Sequence, residues 1–315
     1  MRSGPRRIWL CADDYGISPG VNAGIRELIV RGRINATSIM VASPYFDSDE
    51  AAALDTLNSG QKRADLGLHV TLTGPFGPMS ADFSPLRKGH FLPLNDVLRG
   101  AVARRLQSEL LITEIATQLR AFIDVFGRPP DFVDGHQHVH LFPQIRDAFL
   151  RVVAQGAPRA WVRQCARAKA SRRLQDRKAL TLDILSLGFR RKAARLGIKF
   201  NPGFAGTYTF NSRANYAKIF PRFLTGLPDN GLIMCHPGFV DDALKSLDSL
   251  TTLRQDELSF FSSDDFPKLL AEHGVVLAGP TGESPGTACA VSRAVFASLS
   301  AAAFSSGSKR SHGLL

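Results

Sequence analysis

The chain has 315 residues, 44% hydrophobic and 21% charged, a composition that excludes collagen-like, wholly disordered and disulfide-scaffold readings. Its net charge of +11 is local: residues 159–199 hold 13 of the 39 basic side chains and two of the 28 acidic ones, leaving 26 against 26 elsewhere. Four scattered cysteines without a CxxC pair, no apolar run long enough to span a membrane, and a start that meets two aspartates after a short apolar run predict reduced thiols in a cytoplasmic protein.

Short apolar or β-branched runs bounded by turn residues alternate with helix-length segments, the pattern of βα units. Eight strands are predicted, at 7–13, 36–42, 64–73, 131–140, 160–165, 198–201, 231–236 and 275–279. Helices are expected near 20–31, 47–58, 109–126, 143–155, 169–195, 211–224 and 254–273. Eight strands with intervening helices predict an α/β fold of the (β/α) barrel, TIM-like type rather than an open doubly wound sheet. Residues 74–108 read as a long βα insertion of the kind that forms a lid or substrate loop. From 280 to 315 the chain is rich in Ser, Ala and Gly without periodicity, an expected disordered tail that leaves 1–279 as a single domain.

Polar residues gather at the C-terminal ends of the predicted strands, where barrel enzymes build active sites. The first strand ends in Asp13-Asp14, two carboxylates of which one can bind a metal while the other handles protons; turn chemistry or capping by the following Ser18-Pro19 is the plainer reading of that pair alone. His69 lies on the third strand, where a hydrogen-bonded core role is the commoner fate, and His236 lies where the seventh stops at Pro237-Gly238. The fourth strand carries Asp134, His136, His138 and His140 at alternate positions, which places all four on one face of an extended chain. Same-face Cα atoms lie roughly 6.5–7 Å apart, so one histidine is expected to ligate a metal and the others to orient ligands or meet substrate. An aspartate pair and three histidine-bearing strand ends favour metal-assisted catalysis over separate structural roles.

The blocks ADDYGISPGVNAGI, GLHVTLTGPF, FGRPPDFVDGHQHVHLFPQI and MCHPGFVDD, in that order, resemble the YdjC-like carbohydrate deacetylases, the family that includes the ChbG and HpnK proteins. The resemblance spans about residues 8–279 and implies a distorted (β/α) barrel. It also implies hydrolysis of an acetamido group on a sugar with one divalent metal ion. By motif position Asp14, His69 and His136 look like the metal ligands, Asp13 like the general base and His236 like the general acid. Asp134, His138 and His140 then stand as supporting or substrate-facing groups. The basic 159–199 stretch lies outside the signature blocks.

The chemistry is coherent in its own right. A cation held by one carboxylate and two neutral imidazoles polarises an amide carbonyl and acidifies its water, and the amine leaves once protonated. Such a donor set suits Mg²⁺, Zn²⁺ or Mn²⁺ without choosing among them. The expected partner is a small amino-sugar substrate, free, oligomeric or lipid-linked. A different metal hydrolase, acting on a phosphoester or a non-sugar amide, is the alternative within enzymes. Arg163 on the fifth predicted strand is a candidate phosphate clamp, or a partner for a site carboxylate. A non-enzymatic binder is the other class. Scattered aromatics in 159–199 argue against nucleic acid. The run Leu180, Leu182, Ile184, Leu185, Leu187, Phe189 before Arg190-Arg191-Lys192 is a candidate for peripheral association with an anionic membrane, although a solvated helix face is the commoner fate of such charge. A homo-oligomer is compatible with everything in the sequence.

Overall fold

The computed structural model describes residues 4–168, 177–208 and 215–279. Eight strands form one parallel sheet: β1 (Arg6–Tyr15), β2 (Ala36–Ile39), β3 (Asp65–Val70), β4 (Phe132–Gly135), β5 (Trp161–Val162), β6 (Phe204–Ala205), β7 (Gly231–Cys235) and β8 (Val275–Leu277). Their order is β5-β4-β3-β2-β1-β7-β6, and isolated parallel bridges Val162–Phe200 and Arg167–Phe204 link the two ends. The sheet therefore curls into a barrel with a thinly stitched seam, the distorted (β/α) fold expected from the eight-strand count. The fork between β8 and β2 on one edge of β1 adds to the distortion. β8 takes Arg6–Ile8 and β2 takes Cys11–Tyr15. Asn35 fills the gap, its amide donating to the Ile8 and Ala278 carbonyls and its oxygen accepting the Leu10 N–H at 2.7 Å.

Ten helices accompany the strands among the described residues: α1 (Pro19–Val30), α2 (Ser48–Asn58), α3 (Leu94–Val102), α4 (Ser108–Phe126), α5 (Pro143–Gly156), α6 (Arg177–Arg195), α7 (Tyr216–Leu224), α8 (Asp242–Leu247), α9 (Thr252–Ser262) and α10 (Asp265–Glu272). The boundaries follow local chemistry. Ser18 caps α1 through the Val21 N–H with Pro19 in the first turn, and α4 stops at Gly127, whose φ of 67° favours glycine. Gly67 in β3 has a different reason: a Cβ there would lie 2.3 Å from the Phe132 ring, which stacks on Trp161. None of these helices is long and apolar enough to cross a membrane.

Four elements differ from expectation. The predicted strand 131–140 stops at Gly135, and 136–141 form a tight 3₁₀ turn with Gln137 and His138 both left-handed (φ 53° and 60°), so the four alternating residues do not share a strand face. The predicted strand 198–201 contributes only a bridge at Phe200, and β6 lies later at Phe204–Ala205. Helix 254–273 breaks at Ser263-Asp264 into α9 and α10. The 74–108 insertion is not open loop. It contains α3, and buried Glu114 of α4 accepts the Met79 and Ser80 N–H groups at 3.0 and 2.8 Å, tying its tip to the barrel. The tail expectation for 280–315, and parts of those for 169–195 and 211–224, fall outside the described residues.

Candidate functional site

The site is built at the C-terminal ends of β1, β3, β4 and β7. On a regular strand Asp13 and Asp14 would point to opposite faces. Here the β1–β2 register slips between Ala12 and Tyr15, and Asp14 takes a left-handed φ of 66°. The irregularity re-aims Asp14 while keeping both carboxylates only 2% exposed.

Asp14 faces two imidazoles. Its Oδ1 lies 3.3 Å from His69 Nε2 and 3.0 Å from His136 Nδ1, and the two rings meet edge to face at 5.5 Å. The three ligand atoms fall within 4.8 Å of one another, and one carboxylate with two imidazoles is a sound donor set for a divalent cation. The surroundings fit the same use. His69 Nδ1 meets Asp134 Oδ1 at 2.6 Å, and Ser38 Oγ donates to that same carboxylate. Such a carboxylate–histidine pair fixes the ring and leaves Nε2 for a metal. Asp14 Oδ2 is taken by Arg254 Nη2 at 2.6 Å, so Oδ1 is the oxygen left to ligate.

These partners set the charge states. Burial pushes the Asp14 carboxyl up, but Arg254 and His136 outweigh it and hold Asp14 well below the usual carboxylate range. Burial pushes His69 down, yet Asp134 reverses this and lifts the ring to about 10. A cation at Nε2 would therefore displace a proton.

Asp13 belongs to a second cluster. Arg163 grips it with two parallel bonds of 2.6 Å, reaches Asp134 Oδ2 at 2.5 Å and touches Cys11 Sγ at 3.1 Å. Cys11, Asp13 and Asp134 also bring ligand atoms within 4.8 Å, but the guanidinium already supplies their cation. Arg163 is fully buried and its charge is spent on two carboxylates, which removes it as a phosphate clamp and leaves the other reading, a partner for site carboxylates.

The remaining sequence candidates separate. His140 is fully buried with Nε2 2.9 Å from the Arg163 carbonyl, and burial pushes its ring down to about 4; it supports the Arg163 segment as a neutral group. His138 packs edge-on to Phe204 with Nδ1 3.5 Å from Cys165 Sγ. Asp134 is buried beneath His69, between it and Arg163. His236 ends β7, half-buried, and burial lowers its proton affinity. Burial also pushes the Cys11, Cys165 and Cys235 thiols up, which leaves no thiolate nucleophile among the described cysteines.

Two functional-looking residues escaped the sequence reading. Arg254 and Glu257, each 1% exposed, lie one turn apart on α9. Arg254 bridges Asp14 to Asp248, both at 2.6 Å. Glu257 accepts the His236 N–H at 2.5 Å and the Tyr208 hydroxyl at 2.7 Å. The signal was present: on a helical wheel both charges fall in the middle of the stripe formed by Leu253, Leu258 and Phe261, where an unpaired charge would be costly.

Comparison with known proteins gives this geometry a family. The chain is 28% identical over 274 residues to a chitooligosaccharide deacetylase of Citrobacter koseri, covering 85% of this chain and 96% of the relative. It is 29% identical over 273 residues to the Escherichia fergusonii protein of the same name, with the same coverage. Among solved structures, a protein of Enterococcus faecalis V583 provisionally described as a cellobiose-phosphate cleavage protein shares the fold, with a TM-score of 0.65 at 20% identity over 88% of this chain and 98% of that one. The family model for YdjC-like proteins matches residues 7–272, nearly the whole barrel from β1 to α10, and the chain belongs to the YdjC-like protein family.

Proposed function

We propose that this chain is a divalent-cation-dependent carbohydrate N-deacetylase that hydrolyses the acetamido group of an N-acetylated amino sugar of the chitooligosaccharide class to acetate and a free amine. The observation that carries the reading is the side-by-side placement of Asp14, His69 and His136 with a second carboxylate, Asp13, that Arg163 holds apart from them. The substrate class comes from the chitooligosaccharide deacetylases the chain resembles along most of its length.

Asp14, His69 and His136 are the ligands in this reading, and a divalent cation among them supplies Lewis-acid polarisation of the amide carbonyl and a more acidic water. Asp13 takes the proton of the attacking water at a carboxylate oxygen. Arg163 consumes one lone pair on each Asp13 oxygen and fixes the carboxylate plane, so the remaining lone pairs keep one orientation. Asp134 holds His69 through Nδ1 and keeps Nε2 turned to the cation side. His236 gives a proton to the departing nitrogen. Because burial lowers that ring, it is neutral at rest and takes up a proton before donating one; once protonated it is a stronger acid than an exposed histidine.

The test is acetate release from N-acetylglucosamine and its oligomers by the metal-stripped protein reloaded in turn with Mg²⁺, Mn²⁺ and Zn²⁺. Turnover restored by at least one cation is expected. Absence of acetate with every cation, from protein shown to be folded and metal-loaded, defeats the proposal.

A further inference from the structure

Helix α6 carries a feature that catalysis does not use. Ten large apolar side chains stand exposed among the described residues, and four of them, Leu180, Ile184, Leu187 and Leu196, fall on α6 and the residue after it. Leu180, Ile184 and Leu187 follow i, i+4, i+7 spacing, and exposed Arg191 and Arg195 continue the same face. Ile184 is 61% exposed. The opposite face is committed to the barrel. Phe189 is fully buried with its ring 5.4 Å from His140, Ser186 Oγ accepts the Cys165 N–H at 3.0 Å, and Asp183 pairs with Arg167 at 2.9 Å. The apolar stripe cannot rotate inward without dismantling those contacts.

We propose that this face of α6 docks on an anionic lipid bilayer. Charge selects the occupant. A second copy would set this basic face against its own duplicate, and the 280–315 segment, with three basic residues and one acidic, is itself positive. Nucleic acid supplies negative charge but no apolar surface for Leu180, Ile184 and Leu187 to enter. A bilayer with acidic headgroups offers both: phosphates for Arg191, Arg195 and exposed Lys199, and the acyl boundary for the stripe. Lys192 contributes less, since it pairs with Asp147 at 2.7 Å. The stripe alone or the charge alone would bind marginally, and α6 presents them together.

Flotation of the full chain tests this, with vesicles of phosphatidylcholine alone or with about one-third phosphatidylglycerol, at low and physiological salt. Co-flotation with the anionic vesicles at both salts, and none with the neutral ones, is expected. Ile184→Ser with Leu187→Ser should lower partitioning by about 100-fold, and Arg191→Gln with Arg195→Gln by roughly 30-fold, both with unchanged melting temperature and acetate release. No flotation, or flotation at low salt only, overturns the proposal. So does a stripe variant that floats like the parent, or a parent dimer that the stripe variant dissociates, which would assign the face to a second copy.

Discussion

The two adjacent carboxylates of β1 have opposite surroundings. Asp14 looks out on two imidazoles, each a ring that offers a lone pair once it is neutral, whereas Asp13 looks out on a guanidinium that has none to give. Both neighbourhoods bring three ligand-type groups within 4.8 Å. Proximity of acids and histidines therefore does not define a cation site. What distinguishes them is whether a protein cation already occupies the middle. At Asp14 the arginine approaches from behind, on Oδ2, and leaves Oδ1 open; at Asp13 it takes both oxygens. In the proposed reading, one carboxylate is thereby prepared to ligate and its neighbour to stay unligated.

The sharpest way to break this contrast is to exchange the two losses. Asp14→Ala should abolish cation binding and reduce turnover by about four orders of magnitude, both measured on one preparation by chelator competition and acetate release. Asp13→Asn should reduce turnover by about a thousandfold while retaining the cation. Loss of the cation from the Asp13 variant, or its retention by the Asp14 variant, would reverse the assignment. Next in size is Arg163→Met. It strands Asp13 as a buried carboxylate without a charged partner and leaves Asp134 only His69 and Ser38, and chemical denaturation should show a destabilisation of about 3–5 kcal/mol. Arg254→Gln should be milder. Removing an outer partner of a ligating carboxylate costs roughly 10–100-fold in cation affinity, read by the same competition assay, with the metal-free fold intact. An unchanged affinity would reduce Arg254 to a structural tie between β1 and Asp248.

Much of this was legible in the sequence, and the failures share a cause. Seven of the eight strands and most helices announced themselves through apolar periodicity, because most barrel strands are buried and the helices keep one face on them; β6, at Phe204–Ala205, is too short to show a pattern. The candidate residues Asp13, Asp14, His69 and His236 were visible because they sit where strands meet turns. The 136–140 segment misled because alternation of polar residues is the signature of a strand, while consecutive left-handed residues at Gln137 and His138 have no pattern of their own. Turning the chain there is what brings His136 toward Asp14 and sends His140 into the core. Arg163 was ambiguous for another reason. A charge on a strand is spent or free according to residues far away in sequence, here 29 and 150 positions distant. Arg254 and Glu257 were hidden by the same non-local pairing, despite sitting on an apolar helix face.

Glu257 gives an expected effect that appears only as pH changes, and it extends the contrast to α9. Arg254 is stabilised by the carboxylates it meets, whereas burial pushes the Glu257 carboxyl from its ordinary 4.5 up to about 7. In the unfolded chain the group ionises near the ordinary value, so between those two pH values the native state binds the extra proton. Stability from this group is complete below about 4.5, falls as pH rises through about 7, and levels off above it, a total of about 3 kcal/mol. Glu257→Gln keeps the shape, and its Oε1 can still accept the His236 N–H while its amide donates to the Tyr208 oxygen. Urea denaturation of both proteins at intervals from pH 5 to 8 should show the parent losing ground to the variant as pH rises, with the difference constant above about 8. Parallel curves would mean that Glu257 stays ionised throughout the native range. In that case its bonds to His236 and Tyr208 outweigh its burial.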